Sequence, residues 1–210
     1  MRLLCCLAIS LVVVAAAPAF GEDLNPPPWR GQDGTTLAGW EFGTSDPNPL
    51  PDVLVNPYGT ATAAMYPGVG QEWWDIWGGR QGVWPLSGTS EFGIDNRPEP
   101  LPYKDIWVQV TWAPQAPDTL PYVWEKLSGV EASLVNEIQL EPTLEPPPAD
   151  DFWYHSTYLI HLEPNPDFEV VRVDGAIMVD EIVIDTICIP EPASLALLGL
   201  GGLALLRRKR

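Results

Sequence analysis

The segment Ile106-Trp107-Val108-Gln109-Val110-Thr111-Trp112 decides the fold class. Ile106, Val108, Val110 and Trp112 fall on one parity, and Trp107, Gln109 and Thr111 on the other. Side chains alternate between the two faces of a strand, so this reads as a half-buried strand; Pro114 and Pro117 end it, because proline has no N–H to give to a ladder. Downstream, Tyr154, Ser156, Tyr158, Ile160 and Leu162 alternate in the same way with His155, Thr157, Leu159 and His161. Phe168 to Val173, then Asp174-Gly175, then Ala176 to Ile187 reads as a β-hairpin, since Asp-Gly is a preferred tight turn. Trp40 to Gly43, Ala61 to Tyr66, Gly82 to Leu86 and Val130 to Leu140 are further strand candidates. No window of the body carries a sustained helical stripe and 24 prolines punctuate the chain, so helix is a minor component. Roughly eight to ten strands separated by turn signals predict an all-β protein, an antiparallel β-sandwich of jelly-roll type.

The body runs from Glu22 to Ile189, long enough for one domain with its own core. Glu141 to Asp151 and Asn25 to Gly34, proline-containing and aperiodic, read as loops within it. Over residues 22–189 there are 27 acidic and 6 basic side chains, a net charge of 6 − 27 = −21, against −17 for the whole chain. Such a body repels phosphate backbones and anionic membrane surfaces, which excludes nucleic acid as a partner. Of the three cysteines, Cys5 and Cys6 lie in the leader described next, so Cys188 stands alone and no intrachain disulfide forms in the mature body. Cys188 reads as a half-buried residue at a strand end, and no Cys/His spacing implies a metal or cofactor site.

Both ends of the chain are addresses. Arg2, the apolar stretch Leu3 to Ala17 and the small residues Ala17, Ala19 and Gly21 form the pattern of a secretory signal peptide over residues 1–21, with cleavage by signal peptidase after Ala19 or Gly21. At the other end Pro190, Glu191 and Pro192 precede the apolar run Ala193 to Leu206, which stops at Arg207-Arg208-Lys209-Arg210. Four cations on one side hold that end at the cytoplasmic face of a membrane, so the body is exported. The run is short, with 14 residues spanning roughly 21 Å against a hydrocarbon core of about 30 Å.

Residues 190–210 resemble the PEP-CTERM sorting signal of Gram-negative bacteria: the triplet Pro190, Glu191, Pro192, a single short membrane helix and the basic stop Arg207, Arg208, Lys209, Arg210. The resemblance implies recognition by an exosortase, a membrane cysteine transpeptidase that cuts near the triplet. It also implies transient anchoring in the inner membrane and then a place at the cell surface or outside the cell. It covers the tail and says nothing of what the body does.

In the body, four of the ten tryptophans lie between Trp73 and Trp84. Indoles beside carboxylates and glycines suit a sugar: the ring stacks on the apolar face of a pyranose while charged groups bond its hydroxyls. Glu72, Trp73, Trp74, Asp75, Trp77 and Arg80 form the candidate carbohydrate-binding face, with core packing as the competing account of the same residues. His155 and His161 read as solvated or edge histidines, and Asp180, Glu181 and Asp185 as sheet-face charges. No catalytic motif stands out: Ser87 lacks a nucleophile elbow, and with 27 acids in the body carboxylate pairs alone single out nothing. The expectation is an exported, tail-sorted surface or extracellular-matrix protein without catalytic activity. The alternatives are an exopolysaccharide-binding module and, third, a glycan hydrolase, which a cleft with facing acids and a raised pKa would support.

Overall fold

A computed structural model describes residues 21–99, 101–141 and 152–189. The expected signal peptide, most of the expected loop at 141–151 and the expected membrane helix of the tail lie outside these residues. All described regular structure is β: β1 (Thr35–Trp40), β2 (Val53–Val55), β3 (Ala61–Tyr66), β4 (Trp74–Trp77), β5 (Arg80–Leu86), β6 (Thr89–Asp95), β7 (Tyr103–Pro114), β8 (Tyr122–Glu125), β9 (Ser133–Gln139), β10 (Tyr154–Leu162), β11 (Phe168–Asp174) and β12 (Ile177–Ile189). The larger sheet runs β2-β1-β12-β7-β10-β9, with β5 also pairing β12 and β4 pairing β5. The smaller runs β3-β6-β11-β8, and every pairing is antiparallel.

The two sheets bury one core between them. Trp40, Ile106, Val108, Val110, Trp112, Ile160, Ile182 and Ile184 enter it from the larger sheet. Ala61, Ala63, Met65, Phe92, Ile94, Val171 and Val173 meet them from the smaller one, with Trp40 and Phe92 ring to ring at 4.9 Å. The apolar parity of the Ile106 strand therefore faces the core, as its alternation requires.

Its other face departs from expectation. Gln109 and Thr111 are buried, because the amino-terminal segment 21–34 lies across the outer face of the larger sheet. Asn25 fixes it there: its N–H donates to Gln109 Oε1 at 2.8 Å, its side-chain amide donates to Thr157 Oγ1 at 3.1 Å, and its carbonyl accepts from the Trp107 indole at 2.8 Å. Arg30 then forks onto Asp185, with both bonds at 2.6 Å, and also pairs with Asp23. The segment is a loop by its dihedrals and part of the fold by its hydrogen bonds.

The Asp174-Gly175 turn is not a hairpin. β11 lies in the smaller sheet and β12 in the larger, so the turn carries the chain across the sandwich. Asp-Gly dictates a sharp change of direction, not which neighbours complete the ladder; here Ile182 and Ile184 lie between β1 and β7. Asp174 is held in place by the Trp124 indole N–H at 2.8 Å. The strand expected at Trp40 to Gly43 ends at Trp40, since Phe42 takes a positive φ of 50°, which a strand does not allow. The strand expected at Val130 to Leu140 spans Ser133–Gln139 and forms a fully exposed edge. No helix occurs among the described residues.

Candidate functional site

The hairpin β4–β5 carries most of the residues singled out from sequence. Its two-residue turn is Gly78-Gly79, with φ of 55° and 76° and Trp77 paired to Arg80, the positive-φ turn that matches strand twist. The Gly-Gly dipeptide between the short runs Trp74 to Trp77 and Arg80 to Leu86 was the signal that could have placed this hairpin in advance.

The structure divides the predicted sugar face rather than assembling it. Trp73 packs against the core and its indole N–H donates to the Phe42 carbonyl at 2.9 Å. Trp77 is half-buried and meets Trp153 edge to face at 5.6 Å. Glu72 and Asp75 are exposed. Only Trp74, 47% exposed, offers an open indole, with Ile76 beyond it on the same strand face. Core packing therefore claims Trp73 and Trp77; a strand sends neighbouring side chains to opposite faces, so consecutive tryptophans cannot form one platform.

Arg80 turns the other way, into a cleft of about 470 Å³ that the sequence reading did not foresee. Glu22, Glu41, Asp52, Asp180 and Glu181 line it together with Arg80, Gln81 and three glycines. A β-bulge in β12 creates its floor. Val179 pairs with Trp112 and Glu181 with Thr111, leaving Asp180 as the extra residue. Core parity switches across the bulge, from Ile177 and Val179 to Ile182 and Ile184, so Asp180 and Glu181 both leave the core side. That parity break, visible as Ile-Met-Val-Asp-Glu-Ile-Val-Ile, was the available sequence signal. Gly82, next to the lining residue Gln81, lets the wall close: a Cβ there would lie 2.6 Å from the Phe42 carbonyl oxygen, and this close approach seats the Glu41–Phe42 segment beside β5.

Asp180, Glu181 and Asp185 are thus buried or nearly so, not solvated sheet-face charges. Arg80 Nη1 bonds Glu22 Oε1 at 2.5 Å and Asp180 Oδ2 at 2.7 Å, while its guanidinium stacks 4.8 Å from the Trp153 ring centre. Trp153 is anchored by its N–H to the Gly78 carbonyl at 2.9 Å, so one tryptophan outside the predicted cluster supports both the turn and the cation. Burial pushes the Asp180 carboxyl up to about 6 despite Arg80. Glu181, 4% exposed, has no such counter-ion. Burial and then its acidic neighbours, Glu22 first, raise it to about 8, so it is mostly protonated at neutral pH. Its Oε1 has no hydrogen-bond partner. Asp185 is fully buried and likewise raised, to about 6, with the Arg30 fork opposing the effect of burial.

The histidines and the cysteine are also corrected. His155 is buried between Thr111 and Gln109, and burial lowers its pKa, while only His161 is exposed, bonded to Asp105 at 2.6 Å. Their faces match but their surroundings do not, because segment 21–34 covers only part of the sheet. Cys188 is fully buried rather than half-buried, its thiol 2.9 Å from Asn96 Oδ1 and shifted upward by burial. Among the described residues, no group of three or more His, Cys, Asp or Glu side chains is arranged to hold a metal ion.

The described body is thus an antiparallel β-sandwich with an acidic cleft on its outer face, and its last strand runs directly into the tail. A family model of the PEP-CTERM protein-sorting motif matches residues 189–210, so the chain carries that sorting motif. No curated protein and no solved structure matches the chain.

Proposed function

We propose that this is an exported protein whose body is delivered to the cell surface or extracellular matrix through exosortase processing of its tail, and that the body acts by binding or scaffolding rather than by catalysis. One observation carries the reading: the motif begins at Ile189, the last residue of β12, so body and sorting signal meet almost without overlap. β12 pairs with β1, β5 and β7, so a cut at the triplet leaves every ladder of the sandwich intact. The test is expression in a host that holds the matching exosortase. The mature form should lack Arg207 to Arg210, and Pro190→Ala with Pro192→Ala should accumulate as an uncut membrane-held precursor. A mature surface form that retains the basic cluster would sink the proposal.

A second reading, an exopolysaccharide-binding module, draws on the exposed Trp74 and on the order β1-β12-β7-β10, which we read as jelly-roll connectivity. Quenching of indole fluorescence by a polysaccharide, lost in Trp74→Ala, would support it; a flat response across a glycan panel would remove it. The hydrolase reading would use the cleft, with protonated Glu181 as acid. Reducing-end release that disappears in Glu181→Gln is the result that would favour it over binding alone.

A further inference from the structure

The cleft carries more acid than its one lining cation can satisfy. Arg80 is committed to Glu22 and Asp180, and Glu41, Asp52 and Glu181 remain. Asp52 accepts the Glu41 N–H at 2.7 Å. Three cleft atoms are buried without a hydrogen-bond partner, the acceptors Glu181 Oε1 and Glu22 Oε2 and the Arg80 Nε donor, and Glu181 is 4% exposed. Buried polar atoms left unpaired are costly, and with five carboxyls against one guanidinium a cation entering the cleft would both pair the free oxygens and draw Glu181 toward its charged form.

The geometry selects among donors. A divalent cation draws several carboxylate oxygens to about 2.3–2.6 Å of one point, and no acidic group here is so arranged. An ammonium offers three rotatable N–H donors and accepts a looser, one-sided shell of oxygens at about 2.8 Å. The chain already places a nitrogen in this position: the Gly21 backbone N–H donates to Glu41 Oε1 at 3.2 Å, and Gly21 itself lines the cleft. We propose that the acidic cleft is a binding site for a primary ammonium group, received by Glu41, Glu181 and the free oxygen of Glu22.

Two sources share this chemistry. One is the protein's own α-ammonium: signal-peptide cleavage after Ala19 or after Gly21 creates it on the residue immediately before or after Gly21. That source rests on the export reading above. The other is the amine of an external ligand, such as an amino sugar of a cationic polysaccharide. In the first case maturation itself completes the cleft; in the second the cleft is the recognition site for the ligand.

The experiment uses mature protein recovered from an exporting host, with its first residue read by mass spectrometry. The protein is labelled with nitrogen-15 and its α-amine, left unmodified so that all three N–H donors remain, is titrated by NMR. Seated in the cleft, it should titrate about one unit or more above the ordinary 7.7–8.0 of a free α-amino group, and the shift should vanish in Glu41→Gln. Glu41 is exposed, so that substitution leaves the fold intact. If the α-amine titrates normally, the external source predicts binding of ethylammonium and of glucosamine oligomers but not of their N-acetylated forms, weakened about tenfold by Glu41→Gln and by Glu181→Gln. A normal α-amine together with no amine binding, or binding indifferent to both substitutions, overturns the proposal. Recovery of an uncleaved leader would instead refute the cleavage on which the first source rests, and ethylammonium binding to that protein would then decide the site, no binding overturning the proposal.

Discussion

Lys104 of β7 and Glu169 of β11 form an ion pair across the sandwich, and both side chains are completely buried. Burial pushes the Glu169 carboxyl up to about 7 even though Lys104 pulls it down, and its second oxygen has no donor. Lys104→Met leaves an unbranched side chain one heavy atom shorter and removes the charge. Glu169 is then a buried acid without a counter-ion, and breaking one side of such a pair costs about 3–5 kcal/mol. At about 2–4 °C per kcal/mol for a body of this size, a loss of about 4 kcal/mol lowers Tm by roughly 8–16 °C. The sign with pH follows from linkage. Losing Lys104 moves the folded-state pKa of Glu169 further above its unfolded value near 4.5, so the folded form binds the extra proton. Stability is then present at low pH and lost as pH rises between those two values, and the deficit of Lys104→Met against wild type is larger at pH 8 than at pH 5. Adding Glu169→Leu removes the orphaned charge, and the double variant should return to within about 1 kcal/mol of wild type or exceed it. Urea unfolding followed by tryptophan fluorescence at both pH values measures all three proteins. A single variant within about 1 kcal/mol of wild type at pH 8, or a double variant as weak as the single, would refute the reasoning.

Arg30→Met should strand Asp185 and loosen segment 21–34, costing about 2–4 kcal/mol and exposing that segment to limited proteolysis; resistance equal to wild type would count against its structural role. Because Glu169 and Asp185 have folded-state values of about 7 and 6, above their unfolded values, their contribution is full only below those unfolded values, at about pH 4, and declines as pH rises to about 7; Tm should fall between pH 5 and pH 8, and scanning fluorimetry showing a rise would contradict this. Trp73→Ala should cost about 3–5 kcal/mol through the core contact and the lost bond to Phe42, whereas exposed Trp74→Ala should change stability by less than about 1 kcal/mol, and equal losses in chemical denaturation would be inconsistent with the division of the cluster. A chain ending at Ile189 should melt with the full-length protein in detergent, since β12 closes at that residue; a Tm several degrees lower would make the tail part of the fold.

Periodicity and the chemistry of the two ends carried what was legible before folding. Alternation at Ile106 to Trp112 and Tyr154 to Leu162 set two strands and their core faces, because a period of two is a local property of the backbone. Ala61 to Tyr66 matched its strand residue for residue, and the tail declared itself through the triplet, apolar run and basic stop that the motif model matches. Which strands become neighbours is set by long-range packing: Asp174-Gly175 marks a reversal in either case, and the crossing between sheets depends on the ladder that β12 finds with β1 and β7. Burial of the second face was equally illegible, since Gln109, Thr111 and His155 look polar until a loop more than 80 residues upstream of Gln109 lies across them. The cleft is the extreme case. Glu22, Glu41, Asp52, Arg80 and Glu181 come from separate parts of the chain, and an acid's pKa depends on the dielectric and the charges that folding brings around it, quantities that no local pattern encodes.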